Sequence, residues 1–122
     1  MADHDAVLTS AILGANRVLV VRGPTYDVRH HAANEVLAQE HDRASIDNLI
    51  VALDAERTDF AAMTPGGPSL VFLRDRDLLA VVTCVPRFFI RCPELWEFDA
   101  RLRSPELLAE WFHDRGVVSP IG

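Results

Sequence analysis

The residues most able to do chemistry in this chain are concentrated between Ile90 and Gly116, in the stretch IRCPELWEFDARLRSPELLAEWFHDRG. The stretch contains one of the two cysteines, both tryptophans and a dense set of charges. A cysteine nucleophile needs a base and an electropositive setting. Cys92 follows Arg91 and is therefore the more reactive candidate, whereas Cys84 lies in an apolar run and is expected in the core. We interpret both as structural thiols and expect no catalytic residue among them.

Metal and phosphate binding find little support in the sequence. The histidines and cysteines follow no zinc spacing, and adjacent His30 and His31 would point to opposite faces of an extended chain. The glycine loop TPGGPS at 64–69 precedes a strand rather than a helix and contains no lysine. Phosphate-binding loops feed a helix N-terminus, so this loop is interpreted as a turn. We expect no metal and no cofactor.

The segment 91–103 is the candidate binding surface, because it combines a tryptophan with arginines and acids outside any regular period. Tryptophan and arginine are the commonest anchors of protein interfaces. We expect Trp96 to be the anchor and the acids to form a charged rim. The expected interface residues are Arg91, Glu94, Trp96, Glu97, Asp99 and Arg101. Two alternatives stay open: the Trp96 ring plugs the open end of the core, and the carboxylates form a surface ion-pair network with the arginines.

Length and charge limit the class of protein. A chain of 122 residues fits one domain, here 1–122, with a core of its own. The net charge is −6, and an acidic surface repels phosphate, so nucleic acid and anionic membranes are poor partners. All 12 basic residues are arginine, and without lysine there is no Schiff-base chemistry. The N-terminus does not resemble a signal peptide, and no apolar stretch approaches the roughly 20 residues that span a bilayer. We expect a cytoplasmic protein with reduced thiols.

Hydrophobic periodicity predicts helices and strands in alternation along the first half of the chain. A helix over 5–15 is followed by the strand RVLVV. Ser45 is expected to cap a second helix, whose apolar stripe is Ile46, Leu49, Ile50 and Leu53. Residues 34–40 are expected to form a strand before it, although a helix over 25–43 stays open.

The second half predicts a hairpin, a third strand and a closing helix. In SLVFLRDRDLLAVVTCV, two β-rich runs flank a charged turn. A loop at Asp75-Arg76 would set Leu73 opposite Leu78 and Val71 opposite Ala80. RFFIR at 87–91 is the next strand. Ser104 and Pro105 begin a helix over 105–115, with Gly116 after its end. Its expected apolar stripe is Leu107, Leu108, Trp111 and Phe112.

These elements predict an α+β domain in which helices pack on a mixed, largely antiparallel sheet of four or five strands. The predicted order is α-β-β-α-β-β-β-α. From residue 60 to 117 the pattern resembles small proteins of unknown function from actinobacteria and other GC-rich bacteria. The matching pieces are Gly66-Gly67, the hairpin, Arg91, Trp96, the segment DARL at 99–102, and 108–116. The chain departs from that pattern at Cys92, where relatives have tryptophan, and around MTPGG. The resemblance implies the strand at 34–40 and no activity.

The function expected from these features is protein–protein interaction without catalysis. An acidic chain of this size suits an immunity or antitoxin-type partner of a basic toxin-like protein, or a regulatory subunit, because acidic inhibitors mask basic surfaces. One alternative is a small-molecule-binding module or enzyme with a pocket between sheet and helices. A deep pocket holding several of His30, Arg91, Asp99 and Cys92 would favour it. A purely structural homo-oligomer is the other alternative.

Overall fold

The computed structural model describes residues 3–24 and 35–118, with side chains described from Val7 onward. Within these residues the elements are α1 (Asp3–Ile12), β1 (Arg17–Val21), β2 (Val36–Glu40), α2 (Arg43–Ala52), β3 (Ala55–Arg57), β4 (Ser69–Arg74), β5 (Asp77–Val85), β6 (Phe89–Arg91), β7 (Ala100–Leu102) and α3 (Pro105–His113). The predicted α+β class is confirmed. In the described part of the chain, no helix is long and apolar enough to cross a bilayer.

The strands form one antiparallel sheet in the order β2-β1-β4-β5-β6-β7-β3. The predicted sheet of four or five strands was therefore too small, and the predicted element order lacked β3 and β7. These two strands pair with each other and have only three residues each, AER and ARL. Neither contains the β-branched or aromatic residues that mark a strand in sequence. The expected mixture of parallel and antiparallel pairs was also wrong.

The first half of the chain follows the prediction except at its boundaries. The strand expected at 34–40 is present as β2, while residues 25–34 lie outside the described part. Helix α1 ends at Ile12, three residues before the predicted end. Asp42, not Ser45, caps α2: its carboxylate accepts a hydrogen bond from the Ser45 backbone N–H (3.0 Å). An Asp side chain satisfies a free helical N–H as serine would.

The predicted hairpin between β4 and β5 is confirmed, with one correction to its register. Leu73 faces Leu78 as expected, but Val71 faces Val81 instead of Ala80. The register shifts between Phe72 and Leu73, because β5 contains one extra residue there. Such a β-bulge changes the sheet face on which every later side chain lies.

The helices cover one face of the sheet, and the main hydrophobic core lies between them. Buried side chains of all three helices join alternate residues of the strands in a single cluster. Examples are Ile12 of α1, Ile46 of α2 and Phe112 of α3, packed with Val20 and Phe72. A smaller cluster of Val21, Val71 and Val81 lies on the opposite face. Alternation along each strand thus divides its side chains between two apolar layers.

The closing helix α3 begins at the predicted Pro105 and ends at His113, with Gly116 in the left-handed region (φ 72°). Trp111 is 5% exposed, and its indole N–H donates to the Ser45 carbonyl oxygen (3.0 Å). The Arg115 guanidinium lies 3.8 Å from the centroid of the Trp111 ring and donates to Glu40 Oε1 (2.6 Å). Burial alone would raise the pKa of the Glu40 carboxyl, but hydrogen bonds from the Asp42 backbone and Arg115 outweigh it and lower that pKa.

Replacing Trp111 by alanine should lower the free energy of unfolding by about 3–5 kcal/mol, because the change removes a buried ring and a buried hydrogen bond. Denaturation in urea, followed by circular dichroism, measures the loss. Val51→Ala is the control: Val51 lies on α2 but is 63% exposed, so about 0.5 kcal/mol or less is expected. A loss below about 1 kcal/mol for Trp111→Ala would contradict its place in the core.

Candidate functional site

Trp96, the expected anchor of an interface, is buried in the main core and only 3% exposed. Its backbone N–H and that of Leu95 both donate to the Cys92 carbonyl oxygen (2.9 Å each). This tight turn directs the Trp96 ring into the core. The pattern of charges along the segment does not reveal such a turn. The indole N–H has no hydrogen-bond acceptor among the described residues. The ring therefore fills space as a plug, the alternative left open above, and the expectation of an exposed anchor is corrected.

Arg91 and Asp99, two further predicted interface residues, form an ion pair inside the protein. Asp99 is 1% and Arg91 20% exposed at the side chain. The pair is bidentate, with Arg91 Nε 2.7 Å from Asp99 Oδ1 and Nη2 3.0 Å from Oδ2. A planar guanidinium matches a carboxylate in this geometry. The two charges satisfy each other, so neither is available to anchor a partner.

The Arg91–Asp99 pair also fixes the loop between β3 and β4. Arg91 donates to the carbonyl oxygens of Ala62 (2.9 Å) and Thr64 (2.8 Å), and Asp99 Oδ2 accepts from the Ala62 N–H (2.9 Å). Next to it, the Asp99 N–H donates to the Phe60 carbonyl oxygen (3.0 Å). Two side chains thus satisfy several backbone groups of a loop that has no regular structure. The loop is held against β6 and the segment before β7.

This arrangement brings two aromatic rings and an arginine into contact beside β6 and β7. The Phe60 and Phe89 rings lie 5.6 Å apart at their centroids, and the Arg101 guanidinium lies 5.8 Å from the Phe89 centroid. Phe98 directly precedes Asp99, and Phe88 directly precedes Phe89. Phe60, Phe88 and Phe98 are 49%, 47% and 37% exposed. We call Phe60, Phe88, Phe89, Phe98 and Arg101 the aromatic surface.

Four of the six phenylalanines of the chain therefore lie at this surface rather than in the core. Of the predicted interface residues, only Arg101 belongs to it; Glu94 and Glu97 are exposed nearby in sequence. Sequence reasoning missed Phe60, which lies 38 positions before Phe98 in the chain. The available signal was the run RFFIR, since two adjacent aromatic residues in a strand cannot both face one core.

The turn that carries Phe88 is strained. Arg87 and Phe88 both have positive φ angles, 69° and 80°. Residues with a Cβ rarely adopt this region, and each such residue costs on the order of 1–3 kcal/mol unless its surroundings hold it. The Leu102 N–H donates to the Phe88 carbonyl oxygen (2.8 Å) and holds the turn. Strain of this kind concentrates at functional sites, which adds weight to the aromatic surface.

The cysteines lie away from any site. Cys84 and Cys92 are both free thiols with 0% exposure. Burial raises the pKa of the Cys84 thiol to about 12, so a thiolate is not formed near neutral pH. Within residues 3–24 and 35–118, no group of three or more metal-ligating side chains could hold a metal ion.

A cleft of about 590 Å³ opens at the other end of the sheet, lined by Arg22, Leu37, Gly66, Gly67 and Val117 among others. Arg91, Asp99 and Cys92 do not line it, and His30 lies outside the described residues. This cleft therefore does not bring Arg91, Asp99 and Cys92 together. A Cβ on Gly66 would lie 2.7 Å from the Cys84 carbonyl oxygen, so the glycine loop packs too closely on β5 for any side chain there.

No family model, curated protein or solved structure matches the chain. The resemblance over 60–117 therefore stays a prediction, and the candidate site depends on geometry alone.

Asp99→Asn should lower the free energy of unfolding by about 3 kcal/mol, because it leaves the Arg91 charge unpaired in a largely buried place. Asp54→Asn is the matched control: Asp54 pairs with Arg103 at 3.5 Å, but both side chains are exposed, so about 1 kcal/mol or less is expected. Equal losses in chemical denaturation would show that the Arg91–Asp99 pair contributes no more than a surface contact.

Both thiols should resist iodoacetamide in the folded protein at mildly alkaline pH, because neither is exposed. In concentrated guanidinium chloride both should be carboxamidomethylated, and intact-mass spectrometry counts the modifications. Rapid modification of Cys92 in the native protein would contradict its burial and would revive it as a reactive residue.

Proposed function

We propose that the protein is a non-enzymatic binding protein and that the aromatic surface contacts its protein partner. The observation that carries this proposal is that exposed phenylalanines lie in segments that backbone hydrogen bonds join, with the Arg101 guanidinium over the Phe89 ring. Aromatic residues and arginine are enriched at interfaces and at their hot spots. Scattered apolar residues at a surface need no explanation, but a concentration of this kind does.

The frame beneath the aromatic surface supports the proposal. Phe60 is held through its carbonyl oxygen by the Asp99 N–H, and Phe89 lies in a strand paired on both sides. A surface that is already ordered loses little conformational entropy on binding, so more of the contact energy becomes affinity. Fixing a loop with a buried ion pair is costly for a protein that needs only a turn there.

The net charge of the chain defines the partner that we propose. Beside the aromatic surface, Asp59 and Glu97 are exposed and so is Arg87, but the chain as a whole has a net charge of −6. The partner would present an apolar pocket for the phenylalanines and basic groups around it. A basic toxin-like protein or the basic subunit of a regulated complex has this chemistry, so an immunity-type or regulatory role remains our proposal.

Small-molecule binding is a second candidate function, favoured by the cleft beside Gly66 and Gly67. Its volume of about 590 Å³ lies within the roughly 300–1,000 Å³ of known ligand pockets. Arg22 at its edge forms an ion pair with Glu35 (2.8 Å), so an anionic ligand would compete with Glu35 for its guanidinium.

The double variant Phe60→Ser/Phe98→Ser should weaken partner binding by roughly 30-fold or more, as loss of a hot spot does. The partner is captured from the native host on immobilised wild-type protein, identified by mass spectrometry and titrated by calorimetry. Leu13→Ser/Leu78→Ser is the matched control, because Leu13 and Leu78 are 60% and 50% exposed elsewhere; it should bind as wild type does.

Equal affinity of the two double variants would refute the aromatic surface as the interface. Sedimentation over a concentration range tests the homo-oligomer: a dimer that only Phe60→Ser/Phe98→Ser dissociates would replace the partner by a second copy. A melting temperature raised by small molecules, and unchanged by the phenylalanine variants, would favour the cleft.

A further inference from the structure

A second surface, independent of the aromatic one, lies between helices α2 and α3. The Arg103 N–H donates to the Asp54 carbonyl oxygen (3.0 Å), which joins the end of α2 to the start of α3. At the other end, the Trp111 indole N–H donates to the Ser45 carbonyl oxygen near the start of α2. The two helices therefore run antiparallel. Between them lies a groove of about 260 Å³, lined by Asn48, Val51, Leu107, Glu110, Trp111 and Asp114.

The groove includes exposed apolar side chains beside the polar Asn48, Glu110 and Asp114. Val51 and Leu107 are 63% and 39% exposed, whereas the core-facing residues of the same helices, such as Leu49 and Leu108, are 0% exposed. Leu107 was expected in the buried stripe of α3 but lies outside it. Trp111 closes the floor. A groove between two antiparallel helices, with apolar side chains along it, can bind a third helix.

Acidic side chains follow the groove along α3. Glu106, Glu110 and Asp114 recur every four residues, and Asp114 keeps helical backbone angles (φ −62°, ψ −19°), so the three lie on one side of the helix. Glu106 and Glu110 are exposed and form no ion pair with any described residue. Among the described residues, the Asp114 carboxylate has one ion-pair partner, His113, at 4.0 Å. Like charges at this spacing repel one another. Glu106 lies in the first turn, where the helix dipole favours an acid, but Glu110 and Asp114 have no such benefit.

We infer that the groove binds a basic amphipathic helix of a partner protein. Its apolar residues, spaced three and four apart, would pack on Val51, Leu107 and the edge of Trp111. Its arginines or lysines would lie opposite Glu106, Glu110 and Asp114, and relieve their mutual repulsion. The acidic row extends over eight residues, or about 12 Å at 1.5 Å per residue, so a helix of two to three turns would cover it. Binding at the groove does not depend on the aromatic surface.

A synthetic peptide tests the inference without knowledge of the natural partner. The probe is a fluorescein-labelled 18-residue helix of leucine, alanine and arginine, with leucines three and four residues apart, titrated by fluorescence anisotropy. The control peptide has the same composition in an order that scatters the leucines around the helix. We expect the amphipathic peptide to bind at least about tenfold more tightly than the control, a difference that apolar contacts in one groove can supply.

Two matched pairs of variants locate the binding. Glu106→Gln/Glu110→Gln should weaken binding about tenfold, while Glu56→Gln/Asp77→Asn, which removes the same charge from exposed positions elsewhere, should change it less than about twofold. Val51→Ser/Leu107→Ser should weaken it similarly, and Leu13→Ser/Leu78→Ser should not. The difference between the two acidic variants should shrink as salt rises.

Equal losses for the two acidic variants, equal affinity for the two peptides, or no binding at all would overturn the inference. Should a groove variant fail to fold, as judged by circular dichroism, the wild-type protein decides the matter. Amide chemical shifts near 47–51 and 106–114 should then move on addition of the peptide. Shifts confined to other segments would also overturn it.

Discussion

The bidentate pair of Arg91 and Asp99 is the interaction on which the far side of the sheet depends. The pair forms hydrogen bonds with backbone groups of the loop at 62–64. Arg91 is the last residue of β6, and Asp99 directly precedes β7. A buried ion pair contributes little net stability, since the desolvation of both charges offsets their attraction. Its benefit is conformational. The two charges are paired in one arrangement of the loop, and any other arrangement leaves one charge unpaired where water cannot reach it. The aromatic surface is a consequence of this restriction.

The elements that sequence could predict are those whose signals are local. The hairpin, α2 and α3 each have a periodic apolar pattern, and α3 also has a start and stop signal, so their positions follow from propensity and burial. Strands β3 and β7 have none of this. Each consists of three residues that form a strand only through pairing, β3 with β7 and β7 with both β3 and β6. The partners in β3 and β7 are 43 to 47 positions apart along the chain. Such pairing is a tertiary effect, which no window of sequence contains.

The candidate site shows the same limit of prediction from local sequence. The sequence predicted Trp96 at the surface of the segment after Arg91, whereas the exposed aromatic residue of that segment is Phe98. Trp96 and Phe98 are two positions apart, and both are aromatic residues among charges. The turn on the Cys92 carbonyl oxygen decides that Trp96 is buried, and the tie between Asp99 and Phe60 leaves Phe98 exposed. Composition identifies a segment with aromatic and charged residues, but the hydrogen bonds of its backbone decide which of them a partner can meet.

The aromatic surface and the groove between α2 and α3 depart from what folding alone requires, in different ways. At the first, a buried ion pair holds the loop that carries Phe60, and the Leu102 N–H holds the strained turn at Phe88. At the second, a row of acids borders exposed aliphatic side chains, and Glu106 and Glu110 form no ion pair with any described residue. Local rules are broken in natural proteins chiefly where function requires it. A rigid aromatic surface suits a folded partner with a matching pocket, whereas an acidic groove suits a basic helix that becomes ordered as it binds. The chemistry of the two surfaces thus points to two kinds of contact, which a single basic partner with a folded body and a helical extension could make together.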